Sequence, residues 1–134
     1  MKNILLFLSI LFISCEENTV DLDSGDEIYL IEGKWLPENA VGIDLLPNTM
    51  YEFKNGLRYT YYCTSGSDCD WRSLVIADAI PNPKTYIFEE NKLTIDGDII
   101  FNIEFECNGT VANTIFNDSK SQMWRIGTDL ADCN

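Results

Sequence analysis

The sequence predicts an all-β protein, an antiparallel up-and-down meander of eight or nine short strands that closes into a barrel. Three observations favour this fold: apolar residues that alternate with polar ones, turn-forming pairs between the alternating segments, and no helical stripe except at residues 74–80. Closing such a meander removes its exposed edges, whereas an open sandwich is the competing architecture. The length of 134 residues allows one domain.

The clearest strand covers residues 99–107. Its apolar residues occupy every second position and therefore share one face: Ile99, Phe101, Ile103, Phe105 and Cys107. Asn108-Gly109 follows, and residues 110–116 are rich in β-branched side chains. An Asn-Gly pair between two strands predicts a two-residue hairpin turn.

The other strands are bounded by turns of the same kind. The turn pairs are Asn55-Gly56, Glu90-Asn91 and Asp96-Gly97, and residues 117–120 form a further turn. We expect the strands between these turns at residues 28–36, 49–54, 57–63, 85–89, 92–95 and 121–126. Residues 71–80 are ambiguous, and we interpret them as a strand at their start that leads into a loop at residues 81–83.

The first fourteen residues have the pattern of a secretory signal peptide. A lysine at position 2 precedes residues 4–13, in which Ser9 is the only polar side chain. A helix of this length spans about 15 Å, half of the ~30 Å hydrocarbon core of a bilayer. We therefore predict a cleaved signal rather than a transmembrane helix.

Residues 12–15, Phe-Ile-Ser-Cys, resemble a bacterial lipobox, in which a small residue precedes a cysteine that is lipidated. The resemblance implies that Cys15 begins the mature chain and anchors it to the outer membrane of the cell envelope through lipid. Residues 16–27 contain acids and no base, and this tether resembles the surface-export signal of lipoproteins in Bacteroidetes. We therefore divide the chain into a signal peptide (1–14), a lipidated tether (15–27) and a barrel domain (28–134).

The charge of the chain excludes several functional classes. The net charge is −13 and there is no histidine. Nucleic acid is not an expected partner because phosphate contacts need clustered Lys and Arg, and every histidine-based catalytic or metal site is excluded. We expect no cofactor and no metal. Asp21, Asp23 and Glu32 have the spacing of a calcium loop, but Gly25 and Asp26 stand where the loop needs an oxygen ligand and then a glycine.

Five cysteines in an exported chain leave one unpaired. If Cys15 carries lipid, the other four allow three pairings, of which we favour Cys63–Cys69 and Cys107–Cys133. The alternative is a zinc site, but the spacings match no common zinc pattern and the expected compartment is oxidising.

Gly33-Lys34-Trp35 on the first strand resembles the Gly-x-Trp signature that opens the lipocalin and wider calycin barrels. The whole domain is also similar to the small lipocalin-like lipoproteins of Bacteroidetes, in which a hairpin such as residues 51–56 is typical. In that family the tryptophan closes one end of the barrel and an arginine of the last strand packs across it. The resemblance implies that Gly33, Trp35 and Arg125 close the barrel here, with a Trp35–Arg125 cation–π contact.

A barrel of eight strands is wide enough either to be filled by its own side chains or to hold one small ligand. We expect the protein to bind a small hydrophobic or amphipathic molecule, with the tyrosine hydroxyls as polar points in an apolar pocket. The alternative is a filled barrel that acts as an adhesin, scaffold or protease inhibitor and presents the 63–69 loop. The candidate ligand-binding residues are Phe53, Tyr59, Tyr61, Tyr86, Phe88, Phe101 and Phe105, and further interior candidates are Ile103 and Ile115.

We expect no enzymatic activity. The sequence contains neither a Gly-x-Ser-x-Gly elbow nor a phosphate-binding loop. Paired carboxylates are available for acid–base chemistry, but each pair is expected in a turn, in a loop or on a solvent-facing strand surface. These pairs are Asp68/Asp70, Asp96/Asp98 and Glu104/Glu106.

Overall fold

Eight antiparallel strands close into a barrel in the computed structural model, which describes residues 28–42 and 44–133. Each strand pairs with the next along the chain, and the first pairs with the last. The predicted all-β meander is therefore confirmed. The predicted signal peptide, Cys15 and acidic tether lie outside the described residues. The strands are β1 (Gly33–Pro37), β2 (Thr49–Lys54), β3 (Leu57–Tyr62), β4 (Lys84–Glu89), β5 (Lys92–Ile95), β6 (Ile99–Glu106), β7 (Val111–Phe116) and β8 (Ser119–Arg125).

Tight turns set the register of most hairpins. Two-residue turns with positive φ at both positions connect β2 to β3, β4 to β5, and β7 to β8, and such turns match the twist of paired strands. The β6–β7 connection is longer than predicted, because Glu106 pairs with Val111 and four residues lie between them. Thr110 stabilises this wider turn by donating hydrogen bonds from its backbone N (3.1 Å) and its Oγ1 (2.8 Å) to the Cys107 carbonyl.

The predicted strand at residues 28–36 is wrong in its first half. Strand β1 begins only at Gly33, and residues 28–32 lie across the end of the barrel at which β1 starts. Their carbonyl groups accept hydrogen bonds from the side chains of Trp35 and Arg125 instead of from a neighbouring strand. Ile31 in this segment is 1 % exposed and belongs to the core.

Residues 63–83 form the long β3–β4 connection, and the strand expected at the start of residues 71–80 is absent from it. This connection contains two short 3-10 helices, Gly66–Asp68 and Ile76–Asp78. It is fastened to the outside of the barrel by hydrogen bonds from Lys34 Nζ to the Leu74 carbonyl (2.6 Å) and from Ile80 N to the Thr60 carbonyl (2.7 Å). No helix among the described residues is long and apolar enough to cross a membrane.

The core fills the half of the barrel nearest residues 28–32. Strand register decides which side chains enter it, because residues opposite each other on paired strands project from the same face. Phe88 and Phe105 meet edge to face with ring centroids 6.0 Å apart, and Phe53 meets Tyr86 in the same way at 5.1 Å. The buried core residues are Ile31, Trp35, Phe53, Leu93, Ile95, Ile103, Ala112 and Met123.

Candidate ligand-binding cavity

Trp35 and Arg125 close one end of the barrel. Trp35 is fully buried and its Nε1 donates a hydrogen bond to the Ile31 carbonyl at 2.7 Å. The Arg125 guanidinium carbon lies 4.4 Å from the centroid of the indole ring. This is the cation–π geometry that the family resemblance implies, on strands that pair directly at these two residues.

The Arg125 guanidinium also holds residues 28–32 in place. Its Nη1 donates to the Glu32 carbonyl (2.7 Å), its Nη2 to the Leu30 carbonyl (2.6 Å) and its Nε to the Gly109 carbonyl (3.0 Å). Partial burial lowers the pKa of Arg125, but arginine remains protonated in proteins. The Arg125 side chain therefore connects residues 28–32, the β6–β7 turn and the Trp35 indole.

Gly33 provides the space that this arrangement needs. Its φ of +120° is a conformation that side-chain-bearing residues rarely adopt. A Cβ atom at this position would lie 2.6 Å from Arg125 Nη1. The glycine of the Gly-x-Trp pattern thus leaves room for the arginine that packs across the tryptophan.

A cavity of about 350 Å³ occupies the interior toward the opposite end of the barrel. Its volume is at the lower end of the ~300–1,000 Å³ range of ligand pockets. Small side chains, among them Ala40, Thr114 and Ser121, leave the space open near the β1–β2 and β7–β8 connections. The cavity is lined by Pro37, Asn39, Ala40, Tyr51, Phe53, Arg58, Leu93, Ile95, Phe101, Thr114, Ser121, Gln122 and Met123.

The predicted ligand-binding aromatic residues fall into three groups. Phe53 and Phe101 line the cavity. Tyr86, Phe88 and Phe105 project into the barrel but pack against the core, and the Tyr86 hydroxyl donates to Glu32 Oε1 at 3.2 Å. Burial, followed by the charge and hydrogen bond of Glu32, raises the pKa of Tyr86. The third group, Tyr59 and Tyr61, lies on the other face of the barrel wall.

Tyr59 and Tyr61 point outward, which corrects the prediction that they line the interior. They pair with Glu52 and Met50 on the face opposite to Phe53. Tyr61 and Met50 are nevertheless fully buried. Lys34 Nζ, which donates to the Leu74 carbonyl of the 63–83 connection, lies 5.9 Å from the centroid of the Tyr61 ring. The Tyr61 hydroxyl donates to Glu52, and burial together with this bond raises the pKa of Tyr61 well above its ordinary value.

Ile115 is a second correction of the same kind. It lies opposite Asn102 and Lys120 on the outer face, whereas Ile103 enters the core. In a strand rich in β-branched residues, one apolar side chain does not by itself show which face is buried.

Of the predicted ligand-binding residues only Phe53 and Phe101 line the cavity, and Arg58 is the charged lining residue that the sequence did not predict. It projects inward from β3 opposite Phe53, and its guanidinium carbon lies 4.6 Å from the centroid of the Tyr51 ring. Its Nε is buried and has no acceptor among the described residues. The sequence does contain a signal for this orientation. The two-residue turn at Asn55-Gly56 predicts that Arg58 lies opposite Phe53 and therefore on the same, inner face.

Polar groups near the open end are mostly paired with each other. Asn39 Nδ2 donates to Ser121 Oγ (2.8 Å), and Thr114 Oγ1 donates to the Ser121 carbonyl (3.2 Å). No Asp or Glu of the described part of the chain lines the cavity. The interior therefore combines an apolar wall, a few hydroxyl and amide groups, and one arginine.

The four cysteines of the domain pair as Cys63–Cys69 and Cys107–Cys133, the connectivity that the sequence favours. Near the first disulfide, Asp44 accepts hydrogen bonds from Ser65 Oγ (2.6 Å) and from the backbone N of Ser67 (2.8 Å). These bonds, led by that of Ser65, hold the pKa of Asp44 well below its usual range. The Asp44 carboxylate thereby fastens the β1–β2 connection to the disulfide loop.

Three of the candidate catalytic carboxylates have a basic or amide partner. Asp96 makes an ion pair with Lys84 at 2.7 Å, which lowers the pKa of Asp96. Glu104 Oε2 lies 3.9 Å from Lys120 Nζ. Glu106 Oε1 accepts a hydrogen bond from Asn113 Nδ2. The pair Asp68/Asp70 is exposed in the disulfide loop and the turn after it. Within residues 28–42 and 44–133, no three side chains are grouped as metal ligands.

Comparisons with known proteins add no family to this description. Neither the protein-family models nor the curated proteins contain a match to the sequence. The function is therefore inferred from the cavity and from the residues around it.

Proposed function

We propose that the protein binds one small hydrophobic or amphipathic molecule inside its barrel. The observation that carries this proposal is the interior cavity of about 350 Å³ with a predominantly apolar lining. A concave apolar site with a few polar groups is the usual form of a small-molecule pocket. The volume is about ten times the ~30 Å³ share of one water molecule in the liquid, which leaves room for an organic ligand.

The distribution of side-chain size supports a hollow interior rather than a filled one. An eight-stranded barrel admits both solutions. Large aromatic rings fill the end near Trp35, where Phe105 packs against the indole at a centroid distance of 6.2 Å. Toward the other end, Thr114 and Ser121 occupy inward positions on β7 and β8.

We place the protein in the cell envelope, held at the outer membrane by lipid on Cys15 and exposed at the cell surface. The support is the lipobox-like sequence, the acidic tether and the two disulfides, since disulfides form and persist in oxidising compartments. Replacement of Cys15 by Ser should release the protein from the membrane fraction. Protease treatment of intact cells tests surface exposure, because only an outward-facing domain would be cleaved.

The closed end supports the proposal that the barrel is lipocalin-like. Gly33, Trp35 and Arg125 have the arrangement expected of a Gly-x-Trp barrel: an indole at the barrel end, an arginine over it, and a glycine that makes space for the arginine. The pattern assigns the closed end to β1 and β8, which leaves the other end for ligand entry.

Native mass spectrometry of the protein purified from cells tests ligand binding. We expect an additional stoichiometric mass that is lost on denaturation. Ser121→Phe, which fills the cavity, should remove this mass, whereas Lys120→Phe on the outer face of the same strand should retain it. A bare protein mass that is unchanged by Ser121→Phe would contradict the proposal.

The exposed apolar side chains of the 63–83 connection favour a second candidate, a protein-interaction module. Val75, Ile76 and Ile80 are 59 %, 42 % and 48 % exposed, and a disulfide fastens the start of the connection. Cross-linking on intact cells from position 76 would reveal such a partner. A partner lost in Ile76→Asp but retained in Ser121→Phe would assign the interaction to this surface.

A further inference from the structure

We propose that the ligand is an amphipathic anion, and that Arg58 binds its oxyanion head group, in the first instance a carboxylate, while the apolar tail occupies the cavity. This inference rests on the proposed function, because it names the chemistry of the molecule that the cavity holds. Three features of Arg58 carry it: its position, its free donors and its uncompensated charge.

Arg58 is half-buried and lines the cavity. It projects inward between Tyr51 and Phe53 of the neighbouring strand, both of which also line the cavity. The same side chain borders a second cavity of about 330 Å³ between β3 and residues 80–84. A ligand in the main cavity therefore lies beside the Arg58 side chain.

The contact with Tyr51 leaves the hydrogen-bonding edge of the guanidinium available. The Arg58 guanidinium carbon lies 4.6 Å from the centroid of the tyrosine ring, and a contact of this kind is made through the ring face. The guanidinium carries five N–H donors in its plane. Within the described part of the chain Arg58 donates no side-chain hydrogen bond, and its Nε is a buried donor that lacks an acceptor.

The positive charge of Arg58 has no carboxylate partner among the described residues. The ion pairs in this part of the chain are Lys84–Asp96 and Lys120–Glu104. Lys84 lies opposite Arg58 on β4, but Asp96 already compensates its charge at 2.7 Å. A charge partly removed from water without a partner is unfavourable, and a bound anion would remove that cost.

Arg125 shows what a structural arginine looks like in the same barrel. Its guanidinium donates three hydrogen bonds to main-chain carbonyls and covers the Trp35 ring. Arg58 has only the ring contact. The difference indicates that the donors of Arg58 serve a group that the chain itself does not supply.

The rest of the cavity defines the remainder of the ligand. Leu93, Ile95 and Met123 form an apolar surface beyond the guanidinium, which suits a hydrocarbon tail. A planar guanidinium fits a carboxylate through two parallel N–H···O bonds. The predicted ligand class is therefore a medium-length alkyl or aryl carboxylate.

The experiment compares two probes that share a tail and differ in the head group, decanoate and decan-1-ol, each labelled with ¹³C at carbon 1. Binding to the full protein, purified in non-ionic detergent micelles, is followed by the labelled ¹³C resonance. The cavity-filled Ser121→Phe protein gives the signal of probe held by the micelles alone. We expect the wild type to bind decanoate at least about tenfold more tightly than decan-1-ol.

Two substitutions at Arg58 test its role. Arg58→Gln should remove the preference, so that decanoate binds no more tightly than decan-1-ol. Arg58→Lys keeps the charge but loses the planar fork, so part of the preference should remain. Circular dichroism checks that both variants fold, which is expected because Arg58 makes no hydrogen bond within the described residues.

Each outcome has a separate meaning. Equal affinities for the two probes in the wild type, or a decanoate preference that survives Arg58→Gln, would overturn the assignment of Arg58 while leaving a ligand-binding cavity. Failure of the wild type to bind either probe above the Ser121→Phe background would count against the binding function itself. If decyl phosphate binds more tightly than decanoate, the head group is a phosphate and the carboxylate assignment is wrong.

Discussion

Replacement of Arg125 by Met is expected to destabilise the barrel more than the same replacement of Arg58. Methionine keeps most of the aliphatic stem and removes the guanidinium. The substitution therefore deletes the hydrogen bonds to Leu30, Glu32 and Gly109 and the contact with Trp35, while the packing of the stem is largely retained.

The magnitude follows from these contacts. A hydrogen bond from a charged donor contributes about 1.5–3 kcal/mol, and we take about 1 kcal/mol for each bond here because two of the three are near solvent. The cation–π contact adds about 0.5–1 kcal/mol. The expected loss is therefore about 3.5–4 kcal/mol, a large part of the ~5–15 kcal/mol typical of a domain.

The assay is equilibrium unfolding in guanidinium chloride, followed by tryptophan fluorescence. Arg58→Met is the matched control, because it also removes a guanidinium. Among the described residues, the guanidinium of Arg58 makes a cation–π contact with Tyr51 and no hydrogen bond. We expect Arg58→Met to change the free energy of unfolding by less than about 1 kcal/mol. If Arg125→Met costs no more than Arg58→Met, the account of the closed end is refuted.

Three further changes test the loops and the closed end. Gly33→Ala should lower the free energy of unfolding by at least about 2 kcal/mol, because the positive φ is strained for alanine and its Cβ would displace Arg125; urea titration measures it, and an unchanged midpoint contradicts it. Removal of the Cys107–Cys133 disulfide by double Ser substitution should cost about 3.5 kcal/mol, against about 2.2 kcal/mol for the shorter 63–69 loop, measured in the same titration; a larger loss for the shorter loop contradicts this ranking. Asp44→Asn should destabilise the protein above the ordinary aspartate pKa of 3.8, where the lowered pKa favours the folded state, and the difference should shrink as the pH falls below that value; thermal melts across this range measure it, and a constant difference contradicts it.

The turn chemistry made most of the barrel predictable. Asn55-Gly56 and Asn117-Asp118 adopt positive φ at both positions, which fixes the register of the hairpins on either side. Local sequence suffices for such features because the residue types that tolerate this conformation are few. The predicted two-residue β6–β7 turn was wrong because its Asn-Gly pair lies inside a wider loop that Thr110 stabilises.

The face of β3 was not predictable from local pattern. Period-two alternation divides a strand into two faces but does not say which one is inside. Here Tyr59 and Tyr61 form the more apolar set, yet they lie on the outer face, where Tyr61 is fully buried beside Lys34, which holds the 63–83 connection. Only the partner residue Phe53 reveals that Arg58 belongs to the interior.

The predictions for residues 28–32 and for the 63–83 connection were wrong for a related reason. Residues 28–32 have the composition of a strand, but the carbonyls of Leu30 and Glu32 accept hydrogen bonds from Arg125, which is remote in sequence. The 63–83 connection likewise depends on Lys34 and on the barrel surface. Contacts between residues far apart in sequence decide both segments, and local propensity is a weak guide to such cases.

The interior location of the ligand is the central claim, and the methionines test it most directly. Met123 lines the cavity, whereas Met50 is buried on the opposite face of the barrel wall. In protein labelled with ¹³C at the methionine methyl groups, decanoate should shift the Met123 resonance and give nuclear Overhauser effects to it, while Met50 stays unchanged. A response at Met50 with none at Met123 would place the ligand outside the barrel and contradict the account.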